Sequence, residues 1–406
     1  MHAQNGRFDY DSEKLEELLF FHPDETEVDI DSKVFFQVYY SPGLLSSVMS
    51  GKEKPMDSIQ KIYAASPPPE VSIKVTKLES MSEINVKACD TGGGVNDIYL
   101  YQNKTLISVE NSRSVRFVMK EKCIQKTFQT GLISGNNSFQ AAASSAKGLQ
   151  GFSKLETIQH IKSDATKTKL HLFIVGIDKF KDEKLRLQFA VKDGKAIRDQ
   201  VQTKSKNQFS SIEVYETYDS SKKEILDLFK NNSKKISIED TVIFFFSGHG
   251  TTKDKSYYFL TTDFTLDNPN FEKDSLDQDE ITRSIAEIDS IKKLILIDTC
   301  ESGGAWVSNI ENFTDEFALG LISKKTGVTV IASSMEKSFA FESAKIGHGL
   351  LAKSFLEVLE LKGEVSSSSI IPFINKRIPE IANILLKKEQ FPFISFRGRD
   401  FLITEN

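Results

Sequence analysis

Two reactive side chains follow runs of apolar residues that are typical of buried β-strands. His249 stands between two glycines shortly after the run 242–246, and Cys300 comes shortly after the run 294–297. A cysteine attacks a carbonyl carbon as its thiolate, and an imidazole can stabilise that thiolate and protonate a leaving amine near neutral pH. Together, the two residue types predict a nucleophile and its acid–base partner for the cleavage of an amide bond.

Each of these residues also has a simpler explanation when it is taken alone. A loop histidine is commonly satisfied by structural hydrogen bonds, and a lone cysteine is commonly a small buried hydrophobic residue. The position of each residue after a strand favours a catalytic role, because the carboxyl ends of neighbouring parallel strands meet at one edge of a sheet, about 4.8 Å apart. The glycines beside both residues would let a substrate backbone approach and would leave amides free to stabilise an oxyanion.

The elements that would position this pair alternate between strand and helix over residues 169–406. Helical spacing of apolar residues separates the strands, and one helix opens with the capping box Ser221–Glu224. Strands that are apolar throughout are buried on both faces, as in a mostly parallel sheet that helices cover. We therefore predict an α/β domain with strands near 170–177, 212–217, 241–247, 293–297 and 328–332.

The chain before this domain divides into three predicted parts. Residues 1–66 show no sustained period and are predicted to be an extension. Residues 67–145 begin with a proline triplet and continue with short alternating runs and glycine turns, which predicts a small β-sandwich. The stretch from about 136 to 168 is polar and rich in Ser, Ala and Lys, which predicts a linker over residues 146–168.

Composition limits the function classes that fit. The hydrophobic fraction of 39% is that of a folded globular protein, and a net charge of −5 argues against binding to nucleic acid. No apolar stretch reaches the roughly 20 residues that span a bilayer, so we expect a cytoplasmic protein that does not bind membranes. Cys89, Cys123 and Cys300 show no spacing typical of metal ligands or of disulfide frameworks, so reduced thiols and no metal are expected.

The two motifs resemble those of metacaspases and their bacterial relatives, a branch of the caspase family. Cys300 comes 51 residues after His249, which is close to the roughly 50 residues between the two in caspases. The resemblance implies a caspase-like cysteine endopeptidase over 169–406, with a Cys300–His249 dyad and with the amides of Gly250 and Cys300 as oxyanion donors. It rests on the motifs at 247–250 and 298–303 and on weaker matches, in the same order, at 173–177, 187–193, 347–349 and 398–402.

The same resemblance implies a preference for substrates. The animal-caspase signature around the cysteine is absent, because Asp298-Thr299 precedes Cys300. Metacaspases cleave proteins or peptides after Arg or Lys and line the first pocket with acids. Asp193 and Asp298, with Ser247 beside them, occupy those positions, and paired carboxylates would balance the substrate's cation. The simpler interpretation is that Asp193 is solvated at a helix start and that backbone amides hold Asp298.

Further expectations also come from the resemblance. The segment 67–145 resembles the immunoglobulin-like domain that precedes caspase domains in some bacterial proteins, where it would bind a regulatory protein.

Self-cleavage is expected at Lys324 and Lys325, in a predicted loop over 303–327. His348, between two glycines, is expected to be structural. No cofactor is implied, although many metacaspases need calcium; the chain lacks a loop of the EF-hand kind.

Two other functions fit the same sequence. The caspase-like domain could be a catalytically silent adaptor that docks partners, although the presence of both His249 and Cys300 argues against this. The chain could also be another cysteine peptidase of the same clan, similar to legumain or separase, with a different specificity. A peptidase assay distinguishes the silent adaptor from an active enzyme. The identity of the residue before the cleaved bond distinguishes a metacaspase-like enzyme from the other peptidases of the clan.

Overall fold

A computed structural model of the chain describes residues 20–21, 30–31, 34, 59–111, 122–161, 167–253, 256–301, 315–333, 347–387 and 390–405. These residues fall into two compact units, 1–161 and 162–406. Most of the predicted extension 1–66 lies outside the described residues. Its described elements are β1 (Phe20–Phe21), which pairs with β2 (Ile30–Asp31), and the helix α1 (Ile59–Ala65).

The first unit contains a three-stranded and a five-stranded antiparallel sheet. Its strands are β3 (Glu70–Leu78), β4 (Met81–Cys89), β5 (Asp97–Gln102), β6 (Thr105–Asn111), β7 (Cys123–Gly131), β8 (Gly135–Ser144), β9 (Gln150–Phe152) and β10 (Glu156–His160). The sheet orders are β3-β4-β7 and β10-β8-β5-β6, and β9 pairs with β8. Buried and exposed residues alternate along β4, as they do when one face of a strand meets a core. Strands thus form over the short alternating runs of this segment, as predicted.

The structure differs from the predicted linker over 146–168. Strands β9 and β10 both lie within that range. In its sheet β10 pairs with β8 alone, and most of its residues are exposed or half-buried. An edge strand of this kind has no apolar face to bury, so its composition is that of a polar connection.

The expectation of reduced thiols at Cys89 and Cys123 is wrong, because these residues form a disulfide in the structure. They lie directly opposite each other on β4 and β7, although 34 residues separate them along the chain. Spacing alone does not reveal which strands pair, and the strand register brings these two cysteines together. Disulfides are typical of oxidising compartments, so the cysteines no longer support the expected cytoplasmic location.

The second unit is built on an eight-stranded sheet. Its strands are β11 (Leu170–Gly176), β12 (Ile212–Tyr218), β13 (Thr241–Lys253), β14 (Ser256–Leu260), β15 (Ser275–Asp277), β16 (Lys292–Glu301), β17 (Thr329–Ala332) and β19 (Phe393–Ser395). The main order is β12-β11-β13-β16-β17-β19, and all of these strands are parallel except β19. β14 extends from β13 and pairs with β15, in both cases antiparallel. The predicted α/β fold with a mostly parallel sheet is confirmed.

Helices cover both faces of this sheet. They are α2 (Ala190–Lys204), α3 (Lys222–Ser233), α4 (Phe271–Asp274), α5 (Gln278–Ala286), α6 (Asp315–Thr326), α7 (Leu350–Val358) and α8 (Ile370–Ile381), which continues as a π-helical turn (Ala382–Leu386). A separate pair, β18 (Glu364–Ser366) and β20 (Leu402–Glu405), is antiparallel. The capping box Ser221–Glu224 is present at α3, as predicted.

Alternate residues of the central strands supply two hydrophobic cores. On β11, Ile174 joins the core formed with α2, α7 and α8, whereas Phe173 joins the core formed with α3, α5 and α6. Successive side chains of a strand point to opposite faces, so a strand that is apolar throughout requires a helix layer on each side. In the part of the chain that the structure describes, no helix is both long and apolar enough to cross a membrane.

Candidate active site

The strand register brings the predicted dyad to one level of the sheet. β13 and β16 pair in parallel, and the Cα atom of His249 lies opposite that of Cys300. In the same register Ser247 lies opposite Asp298. β13 does not end at residue 247 as predicted but continues through His249 to Lys253, because β14 pairs with its last residues. The backbones that carry the predicted nucleophile and its predicted acid–base partner are therefore adjacent.

A backbone carbonyl fixes the orientation of the His249 ring. Nε2 of His249 lies 2.9 Å from the carbonyl oxygen of Leu185, in a 3-10 turn before α2. A carbonyl oxygen only accepts, so Nε2 carries the hydrogen and Nδ1 carries the lone pair of the neutral ring. The ring of Phe180 packs against the imidazole with 5.2 Å between centroids. No sequence signal marks Leu185, since its backbone and not its side chain makes the contact.

Gly250 lies where only a glycine fits. A Cβ atom added at Gly250 would be 2.4 Å from Oη of Tyr257 and 2.9 Å from Oγ1 of Thr299. Those two hydroxyl oxygens are 3.0 Å apart and hydrogen-bonded to each other. This pair therefore fills the space beside Gly250 and holds the backbone next to His249 at a fixed distance from β16.

Gly250→Ala is expected to destabilise the domain by about 1–3 kcal/mol, because the added methyl group overpacks a buried contact. Peptide cleavage is expected to fall at least about tenfold, since His249 must move with its neighbour. Thermal unfolding and kcat/KM measure the two effects. Adding Tyr257→Phe, which removes the hydroxyl oxygen 2.4 Å from the new atom, is expected to restore part of the stability. An unchanged unfolding temperature in Gly250→Ala would contradict this account.

The two predicted pocket acids meet at the carboxyl edge of the sheet. Asp193 lies in the first turn of α2 and is 1% exposed, and Asp298 lies on β16 and is 6% exposed. A Cβ atom at Gly349 would be 2.3 Å from Oδ2 of Asp298 and 3.2 Å from Oδ2 of Asp193. Both carboxylates thus lie against Gly349, and Ser247 is buried opposite Asp298 in the strand register.

Both acids also hold the start of α7. Asp193 accepts hydrogen bonds from Nδ1 of His348 at 2.5 Å and from the amide of Gly349 at 2.8 Å. Oδ2 of Asp298 accepts from the amide of Ala352 at 2.8 Å. The first amides of a helix lack intrahelical partners, and carboxylates stabilise that positive end. Backbone amides hold Asp298, as in its simpler interpretation, whereas Asp193 is not solvated.

Burial dominates the electrostatics of this pair. Burial raises the pKa of Asp298 to about 7, the charge of Asp193 adds to the rise, and the hydrogen bond from the Ala352 amide opposes it. Burial likewise raises the pKa of Asp193, against the hydrogen bonds from His348 and Gly349. A nearby cation would favour the ionised form of both carboxyl groups.

The predicted self-cleavage residues lie in a helix and not in a loop. Lys324 and Lys325 belong to the last turn of α6, and Nζ of Lys325 lies 3.1 Å from Oδ1 of Asp279 on α5. The predicted loop is therefore wrong over 315–326. Ala318 and Ile322 are buried with helical spacing, but Gly320 between them weakens the sequence signal. Residues 303–314, the rest of the predicted loop before α6, lie outside the described residues.

The family comparison decides the class of this site. A family model described as the caspase domain matches residues 169–401, which is more than half of the chain. The chain belongs to the caspase family. Members of this family are cysteine peptidases that act on protein substrates, and their domain coincides with the α/β unit that carries His249 and Cys300. A search of curated proteins found no match.

Several solved structures resemble this caspase domain distantly. Protein GSU0716 from Geobacter sulfurreducens is 16% identical, with 57% of this chain and 94% of that chain covered and a TM-score of 0.38. The Drosophila initiator caspase Dronc is 10% identical, with 58% and 81% covered and a TM-score of 0.35. Pro-sf-caspase-1 is 12% identical, with 59% and 96% covered and a TM-score of 0.37. The assignment to the family rests on the family model and not on these likenesses.

Proposed function

We propose that this caspase-family member is a cysteine endopeptidase of the metacaspase branch that cleaves proteins after Arg or Lys. Cys300 is the nucleophile and His249 is the acid–base partner. The observation that carries the proposal is the buried carboxyl pair Asp193 and Asp298. Asp298 lies two residues before Cys300 on β16, and Asp193 on α2 lies against the same glycine, Gly349, as Asp298 does. A peptidase that cleaved after Asp would have to place a third negative charge among these groups.

The proposed reaction uses the dyad in two steps. The thiolate of Cys300 adds to the carbonyl carbon of the scissile bond, and the amides of Gly250 and Cys300 stabilise the oxyanion. The His249 imidazolium gives its proton to the leaving amine as the C–N bond breaks, which leaves an acyl group on sulfur. Neutral His249 then takes a proton from water, and the resulting hydroxide releases the acid and the free thiolate. Because Nε2 donates to the Leu185 carbonyl, Nδ1 is the ring nitrogen assigned to these transfers.

The spacing along β16 suits a long basic side chain. Cys300 comes two residues after Asp298, which corresponds to about 6.6 Å along a strand. A substrate whose carbonyl carbon is at Cys300 must therefore reach back along the strand to meet the acids. Arg and Lys combine that reach with a cation, and a guanidinium group can bond both carboxylates.

A panel of fluorogenic tetrapeptides that vary the residue before the cleaved bond tests this function, with and without calcium. Cleavage after Arg or Lys alone supports the proposal. Cleavage after Asp or Asn would assign the chain a different specificity within the same clan. Complete inactivity toward the whole panel would favour the catalytically silent adaptor. The two calcium conditions test whether this protein shares the calcium requirement of many metacaspases.

We also propose that the first unit is an immunoglobulin-like sandwich that binds a regulatory protein. Its sheet orders, β3-β4-β7 and β10-β8-β5-β6, correspond to the A-B-E and G-F-C-C′ arrangement of such sandwiches. This agreement in strand order supports the assignment beyond the alternating sequence pattern. A bacterial origin and a cytoplasmic location stay predictions.

Self-processing at Lys324 or Lys325 is a further part of the proposal. Residues 301–323 contain no Arg or Lys, so Lys324 is the first residue after Cys300 that fits the proposed specificity. The bond lies in the last turn of α6, where a helix frays most easily. If the enzyme matures by processing, intact-mass spectrometry is expected to show two fragments for the wild type and a single chain for Cys300→Ala. A double variant, Lys324→Gln with Lys325→Gln, serves as the control and is expected to stay whole. Identical masses for wild type and Cys300→Ala would exclude processing.

A further inference from the structure

The segment before α7 is fastened to the first turn of α2. Nζ of Lys192 donates to the carbonyl oxygen of Gly347 at 2.8 Å, and Asp193 accepts from both His348 and Gly349. Gly347 has a φ of +69°, and a side chain on Gly349 would collide with Asp298. His348 is therefore the one side chain of this three-residue segment, and it is held against a pocket acid.

The hydrogen bond determines where His348 can gain a proton. A carboxylate accepts, so Nδ1 of His348 carries the hydrogen that Asp193 receives, and Nε2 is the nitrogen that a proton joins. The His348 side chain is 20% exposed, so solvent reaches it, whereas Asp193 beside it is almost fully buried. Histidine is the side chain whose charge normally changes between pH 5 and 8. A proton on His348 thus places a positive charge against the acid pair.

We propose that His348 is a specificity-determining residue, whose protonation cancels part of the negative charge that Asp193 and Asp298 present to the basic side chain of a substrate. Neutral His348 leaves the pocket anionic and selective for Arg or Lys. Protonated His348 pairs with Asp193, and the pocket then discriminates weakly between a cation and a neutral side chain of the same shape. This inference rests on the proposed function.

The other charged groups around His348 come from each element packed against it. Among the described residues they are Lys192 on α2, Asp298 on β16 and Asp178 in the loop after β11, whose charge interacts with that of Asp193. On α7, Lys353 faces Glu357 at 3.5 Å. Asp298 itself titrates within the relevant pH range, because burial raises its pKa to about 7. The pH effect of His348 must therefore be separated from that of Asp298.

The expected effect follows from the distance between the charges. The two charges are the His348 imidazolium and the cation of the substrate side chain. At about 7 Å and an effective dielectric constant of about 20, their repulsion weakens binding by between tenfold and a hundredfold. Because the imidazole is partly exposed, we expect the lower end of this range, about tenfold.

The experiment compares peptides with Arg or citrulline, its neutral isostere, before the cleaved bond. Taking the ratio of their kcat/KM values removes the titration of His249 and Cys300, which act on both substrates alike. In the wild type this ratio is expected to fall as the pH is lowered from 8 to 5.5. In His348→Asn, which keeps a donor near Asp193 without titrating, the fall is expected to be about tenfold smaller. His160→Asn, on β10 of the other unit, is the matched control and is expected to behave as the wild type.

If the Arg-to-citrulline ratio of kcat/KM fell equally in the wild type and in His348→Asn, the inference would be overturned and the pH dependence would be assigned to Asp298. A flat ratio in the active wild type would overturn it too. If the wild type cleaves no peptide after Arg or Lys, the proposed function fails. The inference is then judged by calorimetric binding of benzamidine to Cys300→Ala and to the double variant Cys300→Ala/His348→Asn. The same pH dependence in both, or no binding at all, would overturn it, whereas a weaker dependence in the double variant supports it.

Discussion

Cys300→Ala is expected to lower kcat/KM for peptide cleavage by on the order of a thousandfold or more while leaving the fold intact. The substitution removes the atom that forms the acyl intermediate, and no other cysteine lies in the domain: Cys89 and Cys123 are joined in the other unit. His249→Ala is expected to cost about as much, because a nucleophile and its base act as one unit and their losses are not additive. The double variant should therefore be little worse than either single one.

Fluorogenic kinetics measures the loss, and circular dichroism with thermal unfolding checks the fold. The matched control is Cys89→Ala with Cys123→Ala, which removes the disulfide of the first unit and leaves the dyad in place. Its activity is expected to stay within a few fold of the wild type. Turnover near the wild-type rate in either Cys300→Ala or His249→Ala would rule out the dyad.

The central sheet and the common edge that carries the dyad could be predicted from sequence because the signals are local and strong. β11, β13 and β16 each contain a run of consecutive apolar residues, which identifies strands that helices cover on both faces. Parallel pairing then fixes a common edge for residues that follow such strands. The shared edge of His249 and Cys300 needed no further information, whereas the continuation of β13 through His249 and the pairing of His249 with Cys300 appear only in the structure.

Features that depend on distant pairing could not be predicted in the same way. The contact between His348 and Asp193 joins residues 155 positions apart, and the sequence shows only a histidine between glycines. The Cys89–Cys123 disulfide depends on the register of β4 and β7. Leu185 acts through its carbonyl oxygen, which every residue type possesses. In each case tertiary packing, and not residue type, creates the contact.

Asp298→Ala is expected to lower kcat/KM for Arg substrates by roughly one and a half to four decades, which corresponds to the loss of one partner of a buried charge pair, about 2–5 kcal/mol. Asp193→Ala is expected to do the same. Peptides with Asp before the bond should be rejected by the wild type, because an acidic side chain would add a third negative charge to the pocket.

Asp298 also stabilises the start of α7, and its removal could act through the fold rather than through the charge. Asp298→Asn separates the two effects, since its amide oxygen can still accept from the Ala352 amide while the charge is gone. Cleavage of the citrulline peptide should change little in this variant, whereas cleavage of the Arg peptide should fall. The surface variant Asp227→Asn on α3 is the control for loss of a carboxylate outside the pocket.

The raised pKa of Asp298 gives this prediction a pH signature. With a pKa of about 7 in the free enzyme, Asp298 is largely protonated below that pH and ionised above it. Since a substrate cation favours the ionised form, the Arg-to-citrulline ratio should rise as the pH increases through about 7, and cation binding near pH 7 should release a proton. Asp298→Asn should lose that part of the rise, and His348→Asn should retain it. A preference for Asp at the cleavage site, or Arg cleavage unchanged in both Asp298→Ala and Asp193→Ala, would show that these carboxylates hold α7 without recognising the substrate.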